Sequence, residues 1–245
     1  MRKLTSLVLL LGVGLLLAPA ISSAVPVTFF GQDLGLGEGT PLPSHPISDA
    51  ARASFFANLS GVGTETFESY GAGTGAPLPI AFSGAGTATL LGNGSIATVT
   101  PGTTNGFGRY AISGSNYWES SDVFSISFSD PIAAFGFYGV DIGDFAGQLK
   151  LHMTGGGTVD LTVPNGTNIA GGSVLYYGFY DLATTYTAID FGNTAPGVDF
   201  FAFDNMSVGS LRQVNPVVPE PGTLMLVGAG LAGLARIRSR KKSSK

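Results

Sequence analysis

Cysteine is absent from all 245 residues. That excludes a disulfide framework, a thiolate metal site, a cysteine nucleophile and a lipid-modified lipobox, so an exported form of this chain must hold its fold by packing or by bound ions. Histidine is nearly as scarce. His45 stands in a Pro-rich stretch and His152 in a strand-like one, and neither has a second histidine at ligand spacing, which speaks against a zinc or iron centre. No Gly-x-Ser-x-Gly turn occurs. Gly-x-Gly-x-x-Ala appears at 92–97 and 106–111, but both precede strand-like sequence instead of a helix, so a nucleotide-binding reading fails its structural test.

Basic residues are missing from most of the chain. Of 12, two lie in the first 24 residues and six in the last ten, leaving Arg52, Arg109, Lys150 and Arg212 against 16 acidic residues between Asp33 and Glu220. The body between the ends therefore carries −12, which the overall −4 conceals. Such a surface does not bind nucleic acid or anionic lipid through a basic patch. It keeps an exported protein soluble, and it favours divalent cations as partners.

What is present is concentrated at the two ends. Arg2 and Lys3 form a positive n-region, residues 4–18 an apolar h-region, and Ser22, Ser23 and Ala24 offer small residues for signal peptidase. Residues 1–24 thus read as a signal peptide, with a mature chain beginning at Val25. At the other end three pieces follow in order. Val218, Pro219, Glu220 and Pro221 form a rigid extended tetrapeptide, since proline fixes its own φ and disfavours the helical region for the residue before it. Residues 223–235 carry no charge, and Arg236, Arg238 and Arg240 open a cluster of six cations. Thirteen apolar residues of helix cover about 20 Å, less than the roughly 30 Å of a bilayer core. The basic cluster obeys the positive-inside rule, however, and long Arg and Lys stems lengthen the effective span. Small residues at four-residue spacing, Gly228 with Ala232 and Ala229 with Gly233, suit close packing in lipid. The expectation is a transmembrane helix over 223–237 and a basic tail over 236–245.

Val218 to Arg240 resembles, piece by piece, the PEP-CTERM sorting signal of Gram-negative bacteria. The resemblance implies an exosortase as processing partner, transient anchorage in the inner membrane, and a destination at the cell surface or in an exopolysaccharide or biofilm matrix. It says where the protein goes and not what it binds.

The body between the ends, about 190 residues, suffices for one domain of ordinary size. Its glycines, sparse charge and short runs of Thr, Ser, Val, Ile and Phe between Gly, Asn and Pro turns are those of an all-β sandwich. Alternation and aromatic content mark strands at 65–70, 78–83, 87–91, 95–100, 108–113, 123–128, 133–140, 148–153, 158–163, 173–180, 186–191 and 199–208. One short helix is expected, N-capped by Ser48 with Asp49 in its first turn, presenting Ala51, Phe55 and Leu59 on one face and ending at Gly61. Residues 25–62 then form an arm plus helix, 63–210 the sandwich, 211–216 a spacer and 217–245 the sorting signal. Stretches 61–68, 107–118, 130–144 and 198–208 also resemble ectodomains that accompany this signal, whose strand order is similar to the jelly roll of carbohydrate-binding modules. A jelly-roll-like β-sandwich is what that resemblance implies; fold does not settle function.

Candidate chemistry is thin. Tyr110, Tyr117 and Trp118, flanked by polar residues, offer flat aromatic faces of the kind that pack on sugar rings. A lone tryptophan in a sandwich is also a core plug, and exposure decides between the two. Glu68 on the first strand of the sandwich could meet Asp204 and Asn205 on the last, and the resemblance implies structural calcium there, an ion that prefers carboxylate and carbonyl oxygens. No catalytic residue is nominated. The expectation is an exported, non-enzymatic envelope or matrix protein with an adhesive or structural role; the alternative is a secreted carbohydrate-binding module or carbohydrate-active enzyme.

Overall fold

Along Phe124–Ile132 apolar and small polar residues alternate, and in the computed structural model Phe124, Ile126 and Phe128 are buried while Ser125 and Ser127 are half-exposed. This is the period of two that a strand with one covered face requires. Along Ala134–Val140, Val174–Tyr180 and most of Phe201–Gly209 every residue is buried, the signature of strands covered on both faces. The structure describes residues 25–120, 124–142, 147–164, 171–193 and 200–215. The signal peptide and the sorting signal, including the helix expected over 223–237, lie outside these residues.

The elements are β1 (Val27–Asp33), α1 (Pro46–Phe56), β2 (Thr64–Glu65), β3 (Leu78–Phe82), β4 (Gly86–Gly92), β5 (Ser95–Thr98), β6 (Asn116–Ser120), β7 (Phe124–Ile132), β8 (Ala134–Val140), β9 (Gly147–Met153), β10 (Thr158–Thr162), β11 (Val174–Tyr180), β12 (Tyr186–Asn193) and β13 (Phe201–Gly209). They make two antiparallel sheets. The first runs β1-β11-β8-β13-β6-β5, with β2 pairing to β13; the second runs β10-β9-β12-β7-β4-β3. A core of Phe, Leu, Ile and Val fills the space between them, centred on Phe124, Phe135, Phe137, Phe191 and Phe203, whose rings meet at centroid distances from 4.6 to 6.4 Å. The all-β sandwich expected from composition is present.

A second apolar layer covers the outer face of the first sheet. It contains Ala51 and Phe55 of α1, Tyr138 and Val140 of β8, Val174 and Tyr176 of β11, Tyr117 of β6 and Tyr110. Phe55 sits above the cross-strand pair Gly136 and Gly178, where a Cβ would approach its ring to 3.1 Å. Glycine at these two positions makes the seat for the helix. The helix starts earlier than expected, with Pro46 in its first turn and His45 before it, and Ser48 is not its cap. Asp33, the last residue of β1, caps the helix from outside: Ile47 N donates to its Oδ1 (3.2 Å) and Ser48 N to its Oδ2 (2.8 Å). A strand-borne carboxylate thus satisfies two orphan donors and faces the positive end of the dipole. The buried Ser48 Oγ lies within hydrogen-bonding distance of Asp33 Oδ2 (2.8 Å), Val174 O (3.0 Å) and Gly31 O (3.3 Å), pinning helix to sheet.

Three local expectations change. The arm is no separate unit, because β1 pairs with β11 through all seven of its residues. The stretch 108–113 is coil, while the strand lies just after it, at β6. Of 65–70, only Glu65 pairs, with Thr64 before it; Phe67 then takes a φ of 61°, with its N–H donating back to Glu65 Oε1.

Candidate functional site

Tyr117 and Trp118 are neighbours on β6 and therefore point to opposite faces of the first sheet. Both are fully buried. Trp118 faces the inter-sheet core, 6.3 Å from the Phe124 ring, and its indole lies so close to Gly94 that no side chain could stand there. Tyr117 faces the outer layer beneath the loops. Desolvation, with Glu119 nearby, pushes its hydroxyl pKa well above the ordinary tyrosine value. Tyr110 is 5% exposed; its hydroxyl donates to Gly172 O (3.0 Å) and accepts from Leu42 N (3.1 Å), tying loop to loop. The three rings are therefore not a sugar platform. A sequence shows that a strand carries aromatics; whether a second layer covers its outward face depends on segments far away in the chain.

Glu68 lies beyond β2 and not on a strand, yet it meets the same coil as Asp204 and Asn205 of β13. A register shift between Asp204 and Ser207, with Asn205 at φ 50°, re-aims the Asp204 side chain under the coil at 108–115. Its Oδ2 accepts from Ile112 N (2.8 Å) and Ser113 N (3.2 Å), and its Oδ1 from Asn205 N (2.6 Å). Glu68 Oε1 accepts from Ser115 N (2.9 Å) and Asn116 N (2.7 Å), and Asn205 Oδ1 accepts from Ser113 Oγ (2.7 Å). These carboxylates stand in for a neighbouring strand, receiving the N–H groups that 112–116 would otherwise give to a ladder. Calcium wants six to eight oxygens. Here Glu68 Oε1 and both Asp204 oxygens face N–H donors and Asn205 Oδ1 faces a hydroxyl, and the described residues contain no group of three or more His, Cys, Asp or Glu placed to hold an ion. In this arrangement the trio is a hydrogen-bonding hub. Burial of Asp204, together with the nearby Glu68 charge and against the pull of its three N–H donors, pushes its pKa up to about 8.

Two further sites were not nominated from sequence. A groove of about 480 Å³ runs between the Pro-rich segment 40–45 and residues 99–114, floored by Tyr110 and Ile112, with His45 on its wall. Beside it, on the loop 104–109, Arg109 Nε donates to Glu119 Oε2 (2.8 Å) and its Nη1 donates to Phe200 O (3.3 Å) and lies 3.6 Å from Asp141 Oδ2. Its guanidinium stands 5.6 Å from the Phe107 ring and 5.8 Å from the Phe200 ring. The one sequence signal for this site was Asn105-Gly-Phe-Gly, a turn that puts an aromatic between two glycines.

On the open face of the second sheet, His152 Nε2 lies 2.7 Å from Asp190 Oδ2. Ala188 separates His152 from Ser127 in one cross-strand row, so the two are about two strand spacings, roughly 10 Å, apart. Proton transfer needs contact near 3 Å, so the three do not form a nucleophile–base unit.

A body of two packed antiparallel sheets joined to a C-terminal address defines a sorted, exported β-sandwich protein. The address is specific: residues 217–241 match the family model of the PEP-CTERM protein-sorting motif, so the chain carries that motif. A motif of this kind implies export, membrane-anchored sorting and processing by an exosortase. No curated protein matches the chain. Among solved structures it is similar to the K2 cleaved adhesin domain of Lys-gingipain, at 18% identity over 60% of this chain and 97% of that one, with a TM-score of 0.37. It is also similar to TmCBM61, solved in complex with β-1,4-galactotriose, at 13% identity over 60% and 94%, with a TM-score of 0.27. Scores that low establish neither fold nor ligand.

Proposed function

We propose that this chain is a non-enzymatic envelope or extracellular-matrix protein. In this reading signal peptidase releases Val25 as the new N-terminus, the helix over 223–237 holds the chain in the inner membrane, and an exosortase processes it near Pro219–Pro221. The sandwich, jelly-roll in character, then serves an adhesive or structural role in exopolysaccharide or biofilm. The observation that carries the proposal is the sorting motif at 217–241, C-terminal to a sandwich that it can deliver outside the cell. The acidic body agrees with a life in solution or matrix.

The test is the intact mass of natively expressed protein, recovered separately from membrane, surface and medium, in strains with and without the exosortase. A mass running from Val25 to near Glu220, seen only with the sorting enzyme, is expected. A chain still ending at Lys245 in both strains would overturn the sorting step.

A further inference from the structure

Phe107 and Phe200 are 64% and 43% exposed, although fully burying such a side chain is worth about 1.5–3 kcal/mol. Their exposure is built in. Asn105 Oδ1 accepts from Phe107 N (3.0 Å) and Arg109 N (3.2 Å), and Asn105 Nδ2 donates to Glu119 Oε2 (3.1 Å). Gly108 N donates to Glu38 O (3.0 Å), and a Cβ at Gly108 would approach Asp141 Oδ1 to 2.6 Å. The turn therefore holds Phe107 at its tip. Arg109 underneath, its side chain only 13% exposed, reaches both rings with its guanidinium and is tied to the Phe200 carbonyl, so one cation stands near two aromatic rings from distant parts of the chain.

We propose that Phe107 and Phe200, with Arg109, Glu119 and Asp141 between them, bind an uncharged polysaccharide lying across this surface. The proposal rests on the matrix reading above and gives it a ligand class. Ring faces pack against the C–H faces of sugars. Because the parts are already held in place, little ordering cost remains on binding. Charge selects the class: two carboxylates surround one guanidinium, on a body of −12, so a polyuronate is repelled where a neutral glycan is not.

The test is native electrophoresis of the protein purified from its producing cells, through gels containing a β-glucan, a galactan or a mannan, with alginate as the polyanion. At least one neutral polymer is expected to retard the protein and alginate is not. Phe107→Ala and Phe200→Ala should each weaken retardation about five- to tenfold, the size expected for losing one stacked ring. The double variant should abolish it at unchanged melting temperature, and Phe107→Trp should preserve it. No retardation by any neutral polymer, or stronger retardation by alginate, overturns the proposal. Equal retardation of wild type and double variant overturns this site while leaving the matrix reading standing. Absent retardation alongside normal exosortase-dependent processing removes the ligand class and leaves the sorting intact.

Discussion

The two sheets share one core yet live in different surroundings. The second is covered on one face only, and β7 shows it, with buried Phe124, Ile126 and Phe128 alternating with half-exposed Ser125 and Ser127. The first is covered twice, by its partner sheet within and by α1 and the 34–45 and 99–115 segments without, so β8 and β11 are buried at every position. Two layers of cover let one sheet carry a Trp, several Tyr and a buried carboxylate without offering any of them to a ligand. The same cover leaves the display of aromatics to a loop edge, at Phe107 and Phe200.

Removing the innermost ring of the doubly covered sheet should do the most damage. Trp118→Ala is expected to cost about 3–5 kcal/mol, read as a lower urea midpoint at unchanged m-value; a loss below about 1 kcal/mol would mean the ring is not a core plug. Phe55→Ala should cost about 3 kcal/mol by unseating α1 from Gly136 and Gly178, with hydrogen exchange rising in β1 and α1 before it rises in the second sheet. Uniform loosening of both sheets would break the distinction drawn between them.

Asp204 adds a pH dependence to the covered face. Its pKa is raised by folding, so its stabilisation is complete below the ordinary carboxylate range near pH 4 and is lost as pH climbs toward 8. Melting temperature should fall across that window, and Asp204→Asn should flatten the slope; a slope unchanged in the variant would assign it to other groups. Ser48→Ala should cost about 1–3 kcal/mol, since Val174 O, Gly31 O and Asp33 share a buried donor that disappears. Ser127→Ala on the open face should stay within about 0.5 kcal/mol, and any larger loss would show that this face is covered too.

Legibility cut across that division: the fully buried β8 and β11, expected at 133–140 and 173–180, lie at Ala134–Val140 and Val174–Tyr180. Strands of the half-open sheet could be read from their period, as at Phe124–Ile132, because one covered face imposes alternation on neighbouring residues. The coil at 108–113 was misread as strand, since its apolar content matches a strand while its N–H groups are taken by Asp204, some 90 positions away. The strand β1 was passed over within an arm rich in Gly and Pro, yet its Asp33 caps the helix that Ser48 was expected to start. The Arg109 site was not legible because Phe200 and Asp141 reach it from the residues just before β13 and just after β8, far off in the chain.

By itself the sequence determined the sorting motif, the acidic body and the all-β class, because each is written in residues adjacent in the chain or in their total count. Tertiary structure alone decided that Tyr117 and Trp118 are core, that Glu68 and Asp204 serve backbone N–H groups, and that Phe107 and Phe200 share one guanidinium. The physical reason is that burial and electrostatic partnership are properties of neighbours in space, and in a sandwich those neighbours come from opposite ends of the chain.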